Sequence, residues 1–279
     1  MESRPKIDSD DILKVENLTV AFGEFKALDD LTFSVARGEL RVVIGPNGAG
    51  KSTLLDVITG KTRPRSGKVW FQPAQRPRID VTRLPVQEIA CLGVGRKFQT
   101  PNVFKELTVL DNLRLALNCA RGVTATLLAP FRLDGGMRVD EILRTVGMEP
   151  KAYRKAGTLA HGEKQWLEIG MVMAQQPELL LIDEPVAGMT PRDSERTGEL
   201  LMAMSQRHTL LVIEHDMTFV RQIAAKVTVL DAGQILCEGS VQEVQNDPRV
   251  IEVYLGQDRE EYAPDRVKSE ESVHSEPEA

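Results

Sequence analysis

Apolar runs of strand length recur along the chain, separated by polar stretches and by segments with helical spacing. "LKVENLTVAF" and "ALDDLTFSV" alternate apolar and polar positions around the turn "GEFK" and predict two antiparallel strands. "ELRVVIG" predicts a buried strand and "GKVWFQ" another. "ELLLID" (178–183), "TLLVIEHD" (209–216) and "AKVTVLDAGQILCEG" (225–239) predict further buried strands and a closing hairpin. The apolar run Leu179 to Ile182, flanked by charge, fits a central parallel strand covered on both faces. Between residues 100 and 175 the period lengthens. "TVLDNLRLALNCA" and "MRVDEILRTVGM" repeat apolar residues at helical spacing, whereas "GVTATLLAPFRLDGG" (122–136) carries no clear element. The pattern is that of an α/β sheet domain with an antiparallel β portion at its start and an inserted helical portion at about 100–175.

Composition narrows this picture. A chain of 279 residues, 42% hydrophobic and 27% charged, is ordinary for a soluble globular protein. No apolar run reaches the roughly 18 residues of a membrane span, and "MESRPKIDSDD" lacks the apolar segment of a secretory signal. Cys91, Cys119 and Cys237 are scattered, odd in number and without metal spacing, which reads as buried or semi-buried thiols in a reducing compartment. With 35 basic and 41 acidic residues the net charge is −6. Residues 258–279 hold eight acids against three bases, so the remaining body is near neutral, which argues against nucleic-acid binding. The expected organisation is a disordered stretch 1–10, a folded domain 11–257 and an acidic disordered tail 258–279.

Chemistry enters with "GPNGAGKST". Gly45, Pro46, Asn47, Gly48, Ala49, Gly50, Lys51, Ser52 and Thr53 follow a predicted strand and open a predicted helix, the context of a phosphate-binding loop. The glycines let backbone N–H groups turn inward, the helix N-terminus adds partial positive charge, Lys51 supplies a cation and Ser52 a hydroxyl for Mg²⁺. In "LLLIDEP", Asp183 emerges at a strand end, placed to hold the metal, and Glu184 follows it, placed to take a proton from a water attacking the γ-phosphate.

These residues resemble the ATPases of ABC transporters over roughly residues 12–256, with six motifs in the expected order. The resemblance implies a P-loop NTPase (RecA-like) core, an antiparallel β subdomain and a helical subdomain, working on ATP with Mg²⁺. It implies that Phe22 stacks on adenine and that Gln99 touches Mg²⁺ and senses the permease. It implies that His215 contacts the γ-phosphate and that "AGMT" (187–190) is the D-loop, with Thr190 where many members carry aspartate. "QTPNVFKEL" is where the family docks the permease's coupling helix, although Val103 and Phe104 also suit a core. The implied assembly is a second ATPase subunit, two transmembrane permease subunits and an extracytoplasmic solute-binding protein, on the cytoplasmic face of the inner (plasma) membrane. Within the family, "GVGRKFQTPNVFKELTVLDNL", "HGEKQWLEIGM", "EPVAGMT" and "DPRVIEVYLG" are similar to urea importer ATPases, with branched-chain amino acid importers as the alternative.

Leu159, Ala160, His161, Gly162 and Glu163 stand at the signature, usually Leu-Ser-Gly-Gly-Gln, that completes an ATP site across a dimer. His161 fits the urea-type pattern. Ala160 lacks the expected hydroxyl, worth about 1.5–3 kcal/mol to a charged partner, and Glu163 adds repulsion unless its carboxylate points away or finds a base such as Lys164. The expectation is an intact but electrostatically weakened signature, which Ala160→Ser with Glu163→Gln would strengthen. A full hydrolytic cradle beside such a signature favours a non-identical ATPase partner. Two other readings fare worse. A soluble ABC protein acting on DNA or ribosomes would carry coiled coils or tandem cassettes, and a P-loop kinase leaves the signature and His215 unexplained.

Overall fold

The computed structural model describes residues 10–97, 102–119 and 139–255. Nearly all of the expected N-terminal stretch 1–10, the segment 122–136, Gln99 and the acidic tail 258–279 lie outside them.

Among the described residues, ten strands form two sheets. β1 (Asp11–Phe22), β2 (Phe25–Ala36), β4 (Ser66–Phe71) and β5 (Ile79–Asp80) make an antiparallel sheet in the order β2-β1-β4-β5. β3 (Leu40–Ile44), β6 (Val94–Lys97), β7 (Leu179–Asp183), β8 (Thr209–Ile213), β9 (Lys226–Asp231) and β10 (Gln234–Gly239) make the second, in the order β10-β9-β3-β8-β7-β6. All its pairings are parallel except the closing hairpin β9–β10. The expected central strand is β7, hydrogen-bonded to β8 and β6.

Alternation along these strands builds two cores at once, because successive side chains leave opposite faces. Val43, Leu181, Leu211 and Ile213 join Leu54, Leu55 and Ile58 of helix α1 (Lys51–Ile58) and the inner face of the antiparallel sheet, including Val15, Leu28 and Phe71. Ile44, Leu180, Ile182, Leu210 and Val212 face the other way. There they meet the helical insertion: α3 (Val109–Cys119), α4 (Val139–Thr145) and α5 (His161–Ala174), which contribute Leu113, Ile142 and Leu167. The helical portion therefore shares one continuous core with a sheet face. Further along, α6 (Pro191–Ser205), α7 (Met217–Ile223), α8 (Val241–Asn246) and α9 (Pro248–Leu255) connect and close the sheet.

Two differences from the sequence reading have local causes. The edge strand β6 and the short helix α2 (Val86–Cys91) carry no clear apolar signal, since Arg96 and Lys97 fill half of β6 and Ile89 is the buried residue of α2. Cys91 is exposed rather than buried or semi-buried, because it ends that mostly solvated helix. Cys237 is half-buried, as expected, and the Cys119 side chain lies outside the description.

Arg41 ties the two sheets together. Its guanidinium is 2% exposed and donates to Glu39 Oε1 and Glu238 Oε1, both at 2.5 Å, to Thr228 Oγ1 at 2.8 Å, and to the Ser34 carbonyl at 3.2 Å. One side chain thus joins β2, β3, β9 and β10 beside the strand that feeds the phosphate loop. Arg41→Met leaves two carboxylates facing each other without their cation, and should lower the unfolding free energy by about 3 kcal/mol. Urea unfolding of the variant checks this.

Candidate nucleotide-hydrolysing site

β3 delivers the chain straight into the loop 45–53. Gly45 has φ 155° and Gly50 φ 100°, and each is hemmed in by backbone: a Cβ would collide with the Leu230 carbonyl at Gly45 and with the Ala27 carbonyl at Gly50. A bulkier residue at either point would open the cradle. The loop is braced from outside, where Gly233 N–H donates to the Ala49 carbonyl (3.1 Å) and Asp29 N–H to the Gly233 carbonyl (3.0 Å). Lys51, 7% exposed, donates from Nζ to the carbonyls of Gly45 (2.6 Å) and Pro46 (2.9 Å). Burial pulls its pKa below the usual lysine value, and Glu184 and Asp183 oppose that shift. Lys51 is therefore folded onto its own loop, with two acids close enough to sense it. Ser52 is exposed at the first turn of α1.

Asp183, 8% exposed, ends β7. Burial raises its pKa, and the Arg96 guanidinium 3.4 Å away works against that rise. The same Arg96 pairs with Asp56 of α1 at 2.6 Å and so links β6, α1 and β7. Glu184 sits in the left-handed region at φ 43°, an unfavourable conformation for a residue with a Cβ. Its N–H donates to the Ile213 carbonyl (3.0 Å), which prolongs the β7–β8 ladder past the strand end and turns its side chain toward His215. His215 Nδ1 lies 3.6 Å from Glu184 Oε1. Lys51, Asp183, Glu184 and His215 thus lie together where the parallel strands β3, β7 and β8 end.

Glu214 was not anticipated. It is 1% exposed and receives the N–H groups of His215 (3.0 Å), Val186 (3.3 Å) and Asp216 (3.4 Å). Burial raises its pKa against those three bonds. It fixes the backbone on both sides of the Glu184–His215 pair; the signal for it was the acid immediately before His215 in "VIEHD". A second unanticipated group is Lys97, 0% exposed at the end of β6, which burial lowers to about 8.

Phe22 and Phe25 stand opposite each other across the first hairpin turn, 58% and 63% exposed. Of the expected docking stretch, Phe104 is 52% exposed while Val103 packs against the core, so the core alternative holds for Val103 and not for Phe104. Asn112, fully buried, clamps that loop through the Phe104 N–H (2.8 Å) and carbonyl (3.1 Å). Gln99 lies outside the described residues.

The helix at residues 159–163 begins at His161, with Ala160 in extended conformation as N-cap and without a side-chain cap bond. The start of the helix borders a cleft of about 500 Å³ lined by Ala160, Gly162, Glu163, Trp166, Arg192 and Arg196 among others. Trp166 anchors the helix by donating to Thr197 Oγ1 (2.9 Å) with the Arg196 guanidinium 4.2 Å over its ring. The base that Glu163 finds is Lys151, not Lys164: Oε1 pairs with Lys151 Nζ, and Oε2 accepts the Ala160 N–H at 3.0 Å. Thr190 is the N-cap of α6, accepting the Asp193 N–H (3.3 Å) ahead of Pro191.

Residues 28–187, more than half of the chain, match the ABC transporter family. The chain belongs to the ABC transporter ATPases. A second match, to the branched-chain amino acid ATP-binding cassette transporter family, covers residues 234–260. The chain is similar to the high-affinity branched-chain amino acid transport ATP-binding protein LivG of Salmonella typhimurium, 35% identical over 89% of this chain and 99% of that one. Among solved structures it is similar to MJ1267, an ATP-binding cassette of an ABC transporter in its ADP conformation (TM-score 0.75, 34% identity, 88% and 99% covered). It is also similar to the dimeric ATP-binding cassette MJ0796 bound to ADP and phosphate (TM-score 0.67, 25% identity, 82% and 98% covered). No helix among the described residues of this ABC ATPase is long and apolar enough to cross a membrane.

The loop fits a nucleotide. Its two hemmed-in glycines leave room only for backbone, and the Lys51 ammonium is held by weak carbonyl partners that a phosphate can replace. For Mg²⁺, an exposed Ser52 hydroxyl and the carboxylate of Asp183 are hard oxygen donors. Among the described residues no group of three or more His, Cys, Asp or Glu could hold a metal by itself, so phosphate oxygens would have to complete the shell.

Two outcomes are expected in this site. Glu184→Gln should lower ATP turnover by about 100-fold or more while leaving ATP binding intact, because it removes a proton acceptor and keeps the shape. Turnover and nucleotide-binding titrations on the same preparation check it. Glu214→Ala should lower stability by about 3 kcal/mol and turnover with it, because three backbone N–H groups lose their acceptor. Urea unfolding together with ATP turnover reads both effects.

Proposed function

We propose that this ABC ATPase is the motor subunit of an importer of the branched-chain amino acid group. The observation that carries the reading is the likeness to LivG over 89% of the chain, supported by the separate match of residues 234–260 to the branched-chain amino acid cassette family. These favour the amino acid alternative over the urea reading.

The chemistry follows from the converging groups. Phe22, with Phe25 opposite, offers a ring to adenine. Lys51 exchanges its two loop carbonyls for phosphate oxygens, where the loop's N–H groups and the helix N-terminus already favour negative charge. Glu184 accepts the proton of the attacking water, and His215 holds the γ-phosphate side of the site. Mg²⁺ held by Ser52, Asp183 and Gln99 would neutralise charge developing on the phosphates. Leu159, Ala160, His161, Gly162 and Glu163 serve a second nucleotide in trans, an arrangement in keeping with the dimeric state of the MJ0796 cassette. The partner is a second, non-identical ATPase subunit. Two permease subunits receive the motion through the exposed Phe104 and the Gln99 segment, and an extracytoplasmic solute-binding protein delivers the solute. The chain works at the cytoplasmic face of the membrane and binds no nucleic acid.

The decisive test is labelled-solute uptake by source cells carrying Glu184→Gln in this chain. Leucine uptake should fall at least about tenfold while urea uptake holds. A fall in urea uptake alone would restore the urea reading, and an unchanged uptake of both would overturn the motor assignment.

A further inference from the structure

We infer that Lys151 and Glu163 form a charge-compensated cap on the signature helix, and that Lys151 is a positioning residue for the ATP site this helix completes in trans. The inference rests on residues 159–163 being the signature and goes beyond that reading.

A carboxylate in the first turn suits a helix, because it answers the positive end of the dipole. It does not suit an anion-binding helix, because it occupies the field that the phosphate needs. Glu163 resolves the conflict with both of its oxygens. Oε2 turns back to accept the Ala160 N–H at 3.0 Å, one half of a capping box. Oε1 pairs with Lys151 Nζ. The Glu163 side chain is 19% exposed and that of Lys151 35%, so the pair is half-sheltered and less screened than a surface pair. The other half of the box is missing, since Ala160 offers no oxygen. No N-cap side chain therefore competes for the helix N–H groups that would face a phosphate.

The cation comes from a firmly held place. Lys151 ends a 3₁₀ turn, Glu149–Lys151, between buried Met148 and Ala152. Its N–H donates to the Met148 carbonyl (2.9 Å), and the Ala152 carbonyl accepts from Leu110 N–H of α3 (2.9 Å). The neighbouring cleft offers no surplus positive charge in its place, because Arg192 and Arg196 share its lining with Asp193, Glu195 and Glu199. Removing Lys151 would therefore leave Glu163 as an uncompensated anion beside the incoming γ-phosphate.

The test uses the transporter complex purified from source cells through a tag on this chain, with ATP turnover, KM for ATP and melting temperature measured together. Lys151→Met should lower kcat/KM by about tenfold, mainly through a raised KM that eases as salt is added. Lys151→Met combined with Glu163→Gln should match Glu163→Gln alone within about twofold, since the amide keeps the acceptor for Ala160 and carries no charge for Lys151 to compensate. Melting temperatures should stay together, whereas a purely structural pair would show its loss there and leave KM alone. A wild-type KM in Lys151→Met, no recovery in the double variant, or a tenfold gain from Glu163→Gln alone would each overturn the inference. If Lys151→Met fails to fold, Glu163→Gln alone still decides, because an uncompensated carboxylate would reveal itself there as that gain. A wild-type complex without ATP turnover would overturn the motor reading as well, whereas normal wild-type turnover with an unchanged Lys151→Met overturns this inference alone.

Discussion

The structure depends on covering both faces of one parallel sheet. β3, β7 and β8 are buried along their whole length, so, apart from Arg41 with its hydrogen-bonded guanidinium, their interior positions are apolar and they turn polar at their ends. Their C-terminal ends lie side by side, and the first polar groups beyond them are the phosphate loop, Asp183–Glu184 and Glu214–His215. The chemistry is concentrated there because those are the first positions free of the packing constraint. Arg41 and Arg96 extend the same logic outward, each joining several elements around the loop through buried guanidinium bonds.

Local strain at this edge has a clear support. Glu184 adopts a left-handed backbone that its side chain disfavours, and is held there by the Ile213 carbonyl on one side and by the Glu214 hydrogen bonds at Val186 on the other. A buried carboxylate with three backbone donors is a rigid brace, and it keeps an acid and a histidine within 3.6 Å without direct help from the phosphate loop. Helix α5 is built by the opposite strategy. It is anchored at its middle by Trp166 and left open at its tip, where an acid that would repel a phosphate is turned sideways into a lysine.

Much of this was legible in the chain. β7 and β8 carry continuous apolar runs and β3 and β9 are apolar at most positions, and the cradle and the acid pair follow β3 and β7 at short range. The order of the site residues needed no more than that. β6 was not legible, because an edge strand with Arg96 and Lys97 at its end carries its polar groups for reasons set by distant partners, Asp56 and Asp183 for Arg96. The shared core of sheet and helical insertion was equally hidden, since helical spacing marks an apolar face without naming what covers it.

By itself, the sequence determined the α/β class and set the glycine-rich loop 45–53 and the acids Asp183 and Glu184 directly after apolar strands, because each depends on residues close together in the chain. Only the tertiary structure decided that Glu214 braces the site and that Cys91 faces solvent. It also decided that Phe104 and Val103 part company and that Glu163 pairs with Lys151, twelve residues away, rather than with its neighbour Lys164. The physical reason is the same throughout: a side chain's charge partner and burial are set by which elements meet in space. In a helix, adjacent residues point apart, so the nearest base in sequence is not the nearest in the fold.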